Sequence, residues 1–150
     1  MIKKNNYLLI IFLILISACG YEPLNKNFSE SNIKISKKTF SGDTKINRTI
    51  FKKINLKETE DKLGYELKLN SNKIIDPIAK DKSGNVTKYK TTITIVVELI
   101  ENQKTIKTRS FSKDFNYSNL SNKFELKKYQ EDVETNLINS IAREIKIFLN

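Results

Sequence analysis

One thiol and a scatter of ammonium groups are the side chains in this sequence that could do chemistry. Cys19 is the only cysteine, and it closes Ile16-Ser17-Ala18-Cys19. Lys3 and Lys4 precede an apolar run from Tyr7 to Ile16. A positive start, an apolar stretch of about ten residues and small residues before the cut describe an exported precursor. A cysteine directly after those small residues is the pattern of a bacterial lipobox. Its thiol would take a diacylglyceryl group as a thioether, and cleavage would make Cys19 the N-terminus, open to a further acyl chain. A membrane-spanning helix needs roughly 20 apolar residues, more than this run supplies. One acyl chain binds a membrane only marginally, at about 0.8 kcal/mol per buried methylene, so several chains on Cys19 would exceed what anchoring needs. Gly20 follows the cysteine where an aspartate would signal inner-membrane retention under the enteric sorting rule. The outer membrane is the location this predicts.

The other reactive groups are basic. The chain carries 27 Lys and Arg against 17 Asp and Glu, a formal charge of +10. Two of those charges, Lys3 and Lys4, leave with the leader. Lys80, Lys82, Lys88 and Lys90 gather around one connection, and Lys107 and Arg109 follow near the next turn. Ammonium and guanidinium groups bind phosphate as charge-assisted donors. For an exported chain tethered to a membrane, the phosphate at hand sits on lipid or glycolipid headgroups, and nucleic acid is not an expected partner. The competing reading is a solvated sheet edge guarded by lysines.

Catalytic parts are scarce. Histidine is absent, which removes Ser-His-Asp and Cys-His arrangements. The four glycines form no phosphate loop or dinucleotide fingerprint, and zinc would have to be held by carboxylates alone. Glu58, Glu60 and Asp61, and again Glu131, Asp132 and Glu134, form acidic clusters. Both are read as solvated faces rather than as a glycosidase pair. The expectation is no catalytic residues, no metal and no cofactor.

These groups need elements to position them. Residues 1–18 read as the leader, 19–32 as a lipidated polar tether, and 33–150 as a single domain. Ile33 to Ser36 alternates apolar and polar, as a strand does. Ser41-Gly42-Asp43 reads as a turn, with Asp43 or Thr44 capping an amphipathic helix that ends near Lys57. Its apolar stripe is Ile46, Ile50, Phe51 and Ile54. Tyr65, Leu67 and Leu69 mark a second strand, and residues 76–86 a connection, since they contain Pro77 and Ser83-Gly84-Asn85. From Lys88 to Ile100 runs the clearest strand, with Tyr89, Thr91, Ile93, Ile95, Val97 and Leu99 on one face and Lys88 and Lys90 on the other. Glu101 to Lys104 reads as a hairpin turn. Phe111, Phe115 and Tyr117 share a parity on the strand from about Thr105 to Tyr117. Residues 122–149 form a long helix, capped by Ser121 or Asn122 with Glu125 downstream. Its stripe is Tyr129, Val133, Leu137, Ile138, Ile141, Ile145 and Phe148. The order β-α-β-β-β-α predicts an α+β fold: two helices packed on one face of a mostly antiparallel four-stranded sheet.

Cys19-Gly20-Tyr21-Glu22-Pro23-Leu24 resembles the mature start of the alphaproteobacterial LPS-assembly lipoproteins (LptE). Thr87-Lys88-Tyr89 is similar to the Thr-Arg-Tyr that opens their central strand. Phe115-Asn116-Tyr117, followed by a long C-terminal helix, is similar to their ending. Asn25 stands where an aromatic is common in that family. The resemblance implies a two-helix, four-strand sandwich inside the LptD β-barrel of the outer membrane. It implies a plug that assists barrel assembly and binds lipopolysaccharide without catalysis. The alternative is a periplasm-facing lipoprotein that binds peptidoglycan or another envelope complex.

Overall fold

A computed structural model of the chain describes residues 33–61 and 64–150; the leader, Cys19 and the tether lie outside them. The described residues form β1 (Lys34–Gly42), α1 (Thr44–Ile54), β2 (Lys57–Glu58), β3 (Tyr65–Lys80), β4 (Val86–Glu101), β5 (Lys104–Ser118) and α2 (Lys123–Leu149). The α+β class holds, but the sheet is five-stranded and mixed, in the order β2-β1-β3-β4-β5. β1 lies parallel to β2 and β3, and the other pairings are antiparallel. The short β2 was missed because two residues after a helix carry no readable period.

β1 runs past the expected end at Ser36. A register shift between Ile35 and Lys37 resets its phase, and this is why the alternation lapses in the sequence. Beyond the shift Phe40 packs on Phe51 of α1, with ring centroids 5.9 Å apart. Lys38 lies on the same side, 4.6 Å above the Phe51 ring. The corner into α1 falls at Gly42, with φ +74°. A side chain there would collide with the Ser71 carbonyl, which accepts from the Asp43 N–H at 3.0 Å. Asp43 caps the helix by accepting from Ile46 N–H at 3.1 Å. Asn55, left-handed at φ 52°, ends the helix after Ile54, three residues before the expected Lys57.

β3 also outruns its expectation, passing through Asp76 and Pro77 as far as Lys80. β1 ends against Ser71, so beyond that point β3 is an edge strand, where a sheet tolerates proline. A register shift follows between Pro77 and Ala79. The true loop is only residues 81–85. At the other end Asn102 and Gln103 both have positive φ, the backbone of a two-residue type I′ hairpin, as the turn reading expected.

Both helices cover one face. Ile93, Ile95, Val97 and Leu99 of β4 and Leu67 and Leu69 of β3 are fully buried. They meet Ile46, Ile50 and Ile54 of α1 and Ile138, Ile141 and Ile145 of α2 in one core. At about 25 cal/mol per Å² of apolar surface removed from water, this layer is the main source of stability. α2 starts where Asn122 accepts from Phe124 N–H at 2.9 Å. Two apolar assignments are corrected. Phe115 has the right parity but is 47% exposed, and Tyr129 is also exposed; Leu126, Ala142 and Leu149 are buried in the helix face instead. The other face of the sheet has no helix over it among the described residues. It presents Asn70, Asn72, Thr92, Thr94, Ser110 and Ser112, with Thr94 and Ser112 joined by a 3.0 Å hydroxyl contact.

Candidate functional site

The hairpin of β3 and β4 extends about nine residues beyond the end of β1, roughly 30 Å at 3.4 Å per residue. Four of the expected site lysines stand at its end. Lys80 pairs with Val86 across the last rung, Lys82 is in the loop, and Lys88 and Lys90 lie on the helix-free face opposite Ser118 and Asn116. Lys80, Lys82 and Lys88 are exposed and Lys90 is half-buried. The loop between them is held from within. Asp81 accepts from the N–H groups of Ser83 (2.8 Å) and Asn85 (2.9 Å) and from the Asn85 amide (3.1 Å). Those bonds, the Asn85 amide foremost, hold the Asp81 carboxyl below the usual range. Gly84, at φ +84°, closes the turn. The lysines are therefore presented on an ordered hairpin.

The same end carries apolar groups that sequence reasoning missed. Ile74 (45%), Ile75, Ile78 and Phe115 are exposed on the strands, and Phe124 (77%) and Tyr129 on the first turns of α2. The start of α2 is tied there because Asn119 donates to the carbonyls of Thr87 (2.8 Å) and Val86 (2.7 Å). The available signal was Ile74-Ile75, between the expected second strand and the connection, and Ile78 within the connection at 76–86. Beneath them Tyr117 stacks on Tyr89 at 5.9 Å and meets Tyr129 edge-on at 5.7 Å. Its hydroxyl shares a buried 3.0 Å hydrogen bond with Thr91.

Behind the hairpin, on the helix side, a cavity of about 190 Å³ is lined by Lys45, Lys73, Ile75, Thr91, Lys127 and Glu134 among others. This corrects the reading of the second acidic cluster as wholly solvated. Glu131 and Asp132 are exposed, but Glu134 is buried. It accepts from Lys73 of β3 at 2.6 Å and lies 3.7 Å from Lys45 of α1. A carboxylate in that position is a strut between three elements. In the first cluster Glu58 takes Lys38 on both oxygens at 2.8 Å.

Lys107 and Arg109 are not brought to the basic end. They pair with Leu99 and Val97, 11 and 9 residues along β4 from Lys88, about 37 and 31 Å away. Lys107 donates to the carbonyls of Phe148 (3.2 Å) and Leu149 (3.4 Å), satisfying the last turn of α2. Arg109 lies over the rings of Phe111 (5.4 Å) and Phe148 (5.9 Å). The chain enters β1 beside Tyr65, so Ile33 and the basic hairpin are at opposite ends of the sheet, about 50 Å apart.

The fold is similar to that of several solved structures. The minor lipoprotein from Acinetobacter baumannii superposes with a TM-score of 0.61 at 12% identity, over 75% of this chain and 87% of that one. Rare lipoprotein B from Shewanella oneidensis gives 0.57 at 13% identity, over 73% and 89%. Uncharacterized lipoprotein B from Nitrosomonas europaea gives 0.61 at 10% identity, over 76% and 79%. No family model matches the chain, and neither does any curated protein sequence. At such identities the likeness is one of fold.

Proposed function

We propose that this chain is an outer-membrane lipoprotein of the lipopolysaccharide transport and assembly translocon. In this reading Cys19 carries the acyl chains, the domain is plug and assembly partner of an LptD-type β-barrel, and the basic end binds lipopolysaccharide. The observation that carries it is the coincidence, at one end of the sheet, of Lys80, Lys82, Lys88 and Lys90 and exposed Ile74 and Ile78 on the β3–β4 hairpin with exposed Phe115 on the neighbouring β5. A phosphorylated amphiphile asks for both: ammonium groups for its phosphates and apolar side chains for its acyl region. That end is also remote from Ile33, the first described residue, about 50 Å along the sheet. The Thr-, Ser- and Asn-rich face suits the polar lumen of a barrel. None of these roles requires catalysis.

The test is purification of the tagged full chain from detergent-solubilised membranes, read by mass spectrometry. Recovery of a large β-barrel and lipopolysaccharide, with palmitate label on the wild type and none on Cys19→Ser, is the expected result. Recovery of peptidoglycan or of an envelope complex without a barrel would replace this reading with the alternative.

A further inference from the structure

The far edge of the sheet carries a feature that the basic end does not use. β2 pairs with only Lys34 and Ile35 of β1, and Thr59 N–H donates to Ile35 C=O at 2.9 Å as the chain leaves. From Lys37 to Gly42, β1 has β3 on one side and no strand on the other among the described residues. Successive residues of a parallel strand direct their backbone groups to opposite sides. Ile35, whose carbonyl reaches β2, faces outward before the register shift; beyond it Asp43 N–H donates to Ser71 C=O at 3.0 Å with Gly42 opposite Ser71, so Lys37, Thr39 and Ser41 direct their backbone groups to β3. Lys38 and Phe40 therefore present N–H and C=O groups in a lane that β2 leaves empty. Edges are ordinarily blunted by proline or by free lysines. This stretch has no proline, and its two lysines are engaged, Lys37 with Glu66 (3.1 Å) and Lys38 with Glu58 (2.8 Å).

Beside that lane, on the helix side, is a groove of about 440 Å³ lined by Lys38, Phe40, Arg48, Phe51, Lys52 and Glu58. Phe40 and Phe51 form its aromatic floor. Glu58 neutralises Lys38, whereas Arg48 and Lys52, one turn apart on α1, are exposed and have no acidic partner among the described residues. The groove is thus apolar below and positive on its wall.

We propose that this edge is a strand-addition site for an extended acidic segment of a partner protein. Its backbone pairs with Lys38 and Phe40 in continuation of β2, one apolar side chain rests on Phe40 and Phe51, and a neighbouring carboxylate meets Arg48 and Lys52. A lipid or nucleotide phosphate would satisfy the cations but leave the backbone groups unpaired, so the occupant is a peptide. The site is independent of the hairpin end and of its ligand.

The test uses the full chain in detergent micelles and fluorescein-labelled octapeptides that alternate valine with glutamate around a central phenylalanine. The control peptide carries lysine for glutamate, and binding is read by anisotropy at low salt. The acidic peptide is expected to bind at least about tenfold tighter than the basic one. The double change R48E/K52E reverses that preference, while K104E/K128E, the same charge change elsewhere, leaves it in place. N-methylation of alternate peptide amides in one phase removes the ladder bonds without altering the protein. One phase is expected to weaken binding about tenfold or more and the other to have no effect. Absent binding of the acidic peptide, equal binding of acidic and basic peptides, equal effects of the two double changes, or indifference to both N-methyl phases overturns the proposal. So does a concentration-dependent dimer that the peptide dissolves, because the occupant is then a second copy of this chain.

Discussion

Replacing Lys80, Lys82, Lys88 and Lys90 together by glutamine removes the charge from the hairpin end and keeps its shape. Three of the four are exposed, so each phosphate contact is an ion pair in high dielectric, worth about 0.5 kcal/mol. Four such contacts come to about 2 kcal/mol, a weakening of roughly 30-fold. Affinity of the wild type for fluorescent lipopolysaccharide should also fall steeply with salt, because exposed pairs are screened beyond about 10 Å at 0.1 M; the quadruple variant should show a much flatter dependence. Folding should be little affected, since surface substitutions usually stay within about 0.5 kcal/mol each and the turn is held by Asp81 and Asn85 rather than by any lysine. The assay is anisotropy of labelled lipopolysaccharide with the full chain in detergent, alongside a circular-dichroism melt. A loss of less than about threefold with an unchanged melt would refute the reasoning. The apolar groups alone would then account for any binding at that end.

Two further outcomes follow from the hydrogen bonds of Lys107 and Lys37. Lys107→Ala strips the terminal carbonyls of α2 of their donor; it should cost about 1 kcal/mol and lower the melting temperature by about 4–6 °C, with Lys107→Arg recovering most of it. The hydrogen bond from Lys37 holds the Glu66 carboxyl below its ordinary value of 4.5. The folded form therefore holds its proton less tightly than the unfolded chain, so this contribution is complete above pH 4.5 and is lost as pH falls through the lower folded value. The melting-temperature difference between wild type and Glu66→Gln should accordingly be constant near neutrality and shrink below pH 4.5.

The sequence was most legible where one face is dry and the other wet. Ile93, Ile95, Val97 and Leu99 alternate because α1 and α2 bury one side of β4, and the lysines at 88 and 90 fell on the expected face for the same reason. Legibility failed where a local device interrupts the period. The register shift after Ile35 hid most of β1. Pro77 looked like a strand break because its edge position depends on where β1 ends, a tertiary fact. Glu134 looked solvated because its partners, Lys73 and Lys45, are 61 and 89 residues away in the chain. Lys107 and Arg109 were grouped with the other cations by proximity to a turn, but the antiparallel register carries them to the opposite end of the sheet.

The tyrosine trio under the hairpin has a spectroscopic consequence. The chain has no tryptophan, and Tyr89, Tyr117 and Tyr129 are in ring contact at the very end offered to a ligand. Tyr117, buried and hydrogen-bonded to Thr91, fixes the geometry in which the three phenol transitions couple and give near-ultraviolet ellipticity. The molecule thus carries an intrinsic optical gauge of what happens at its basic end, with no dye or label attached.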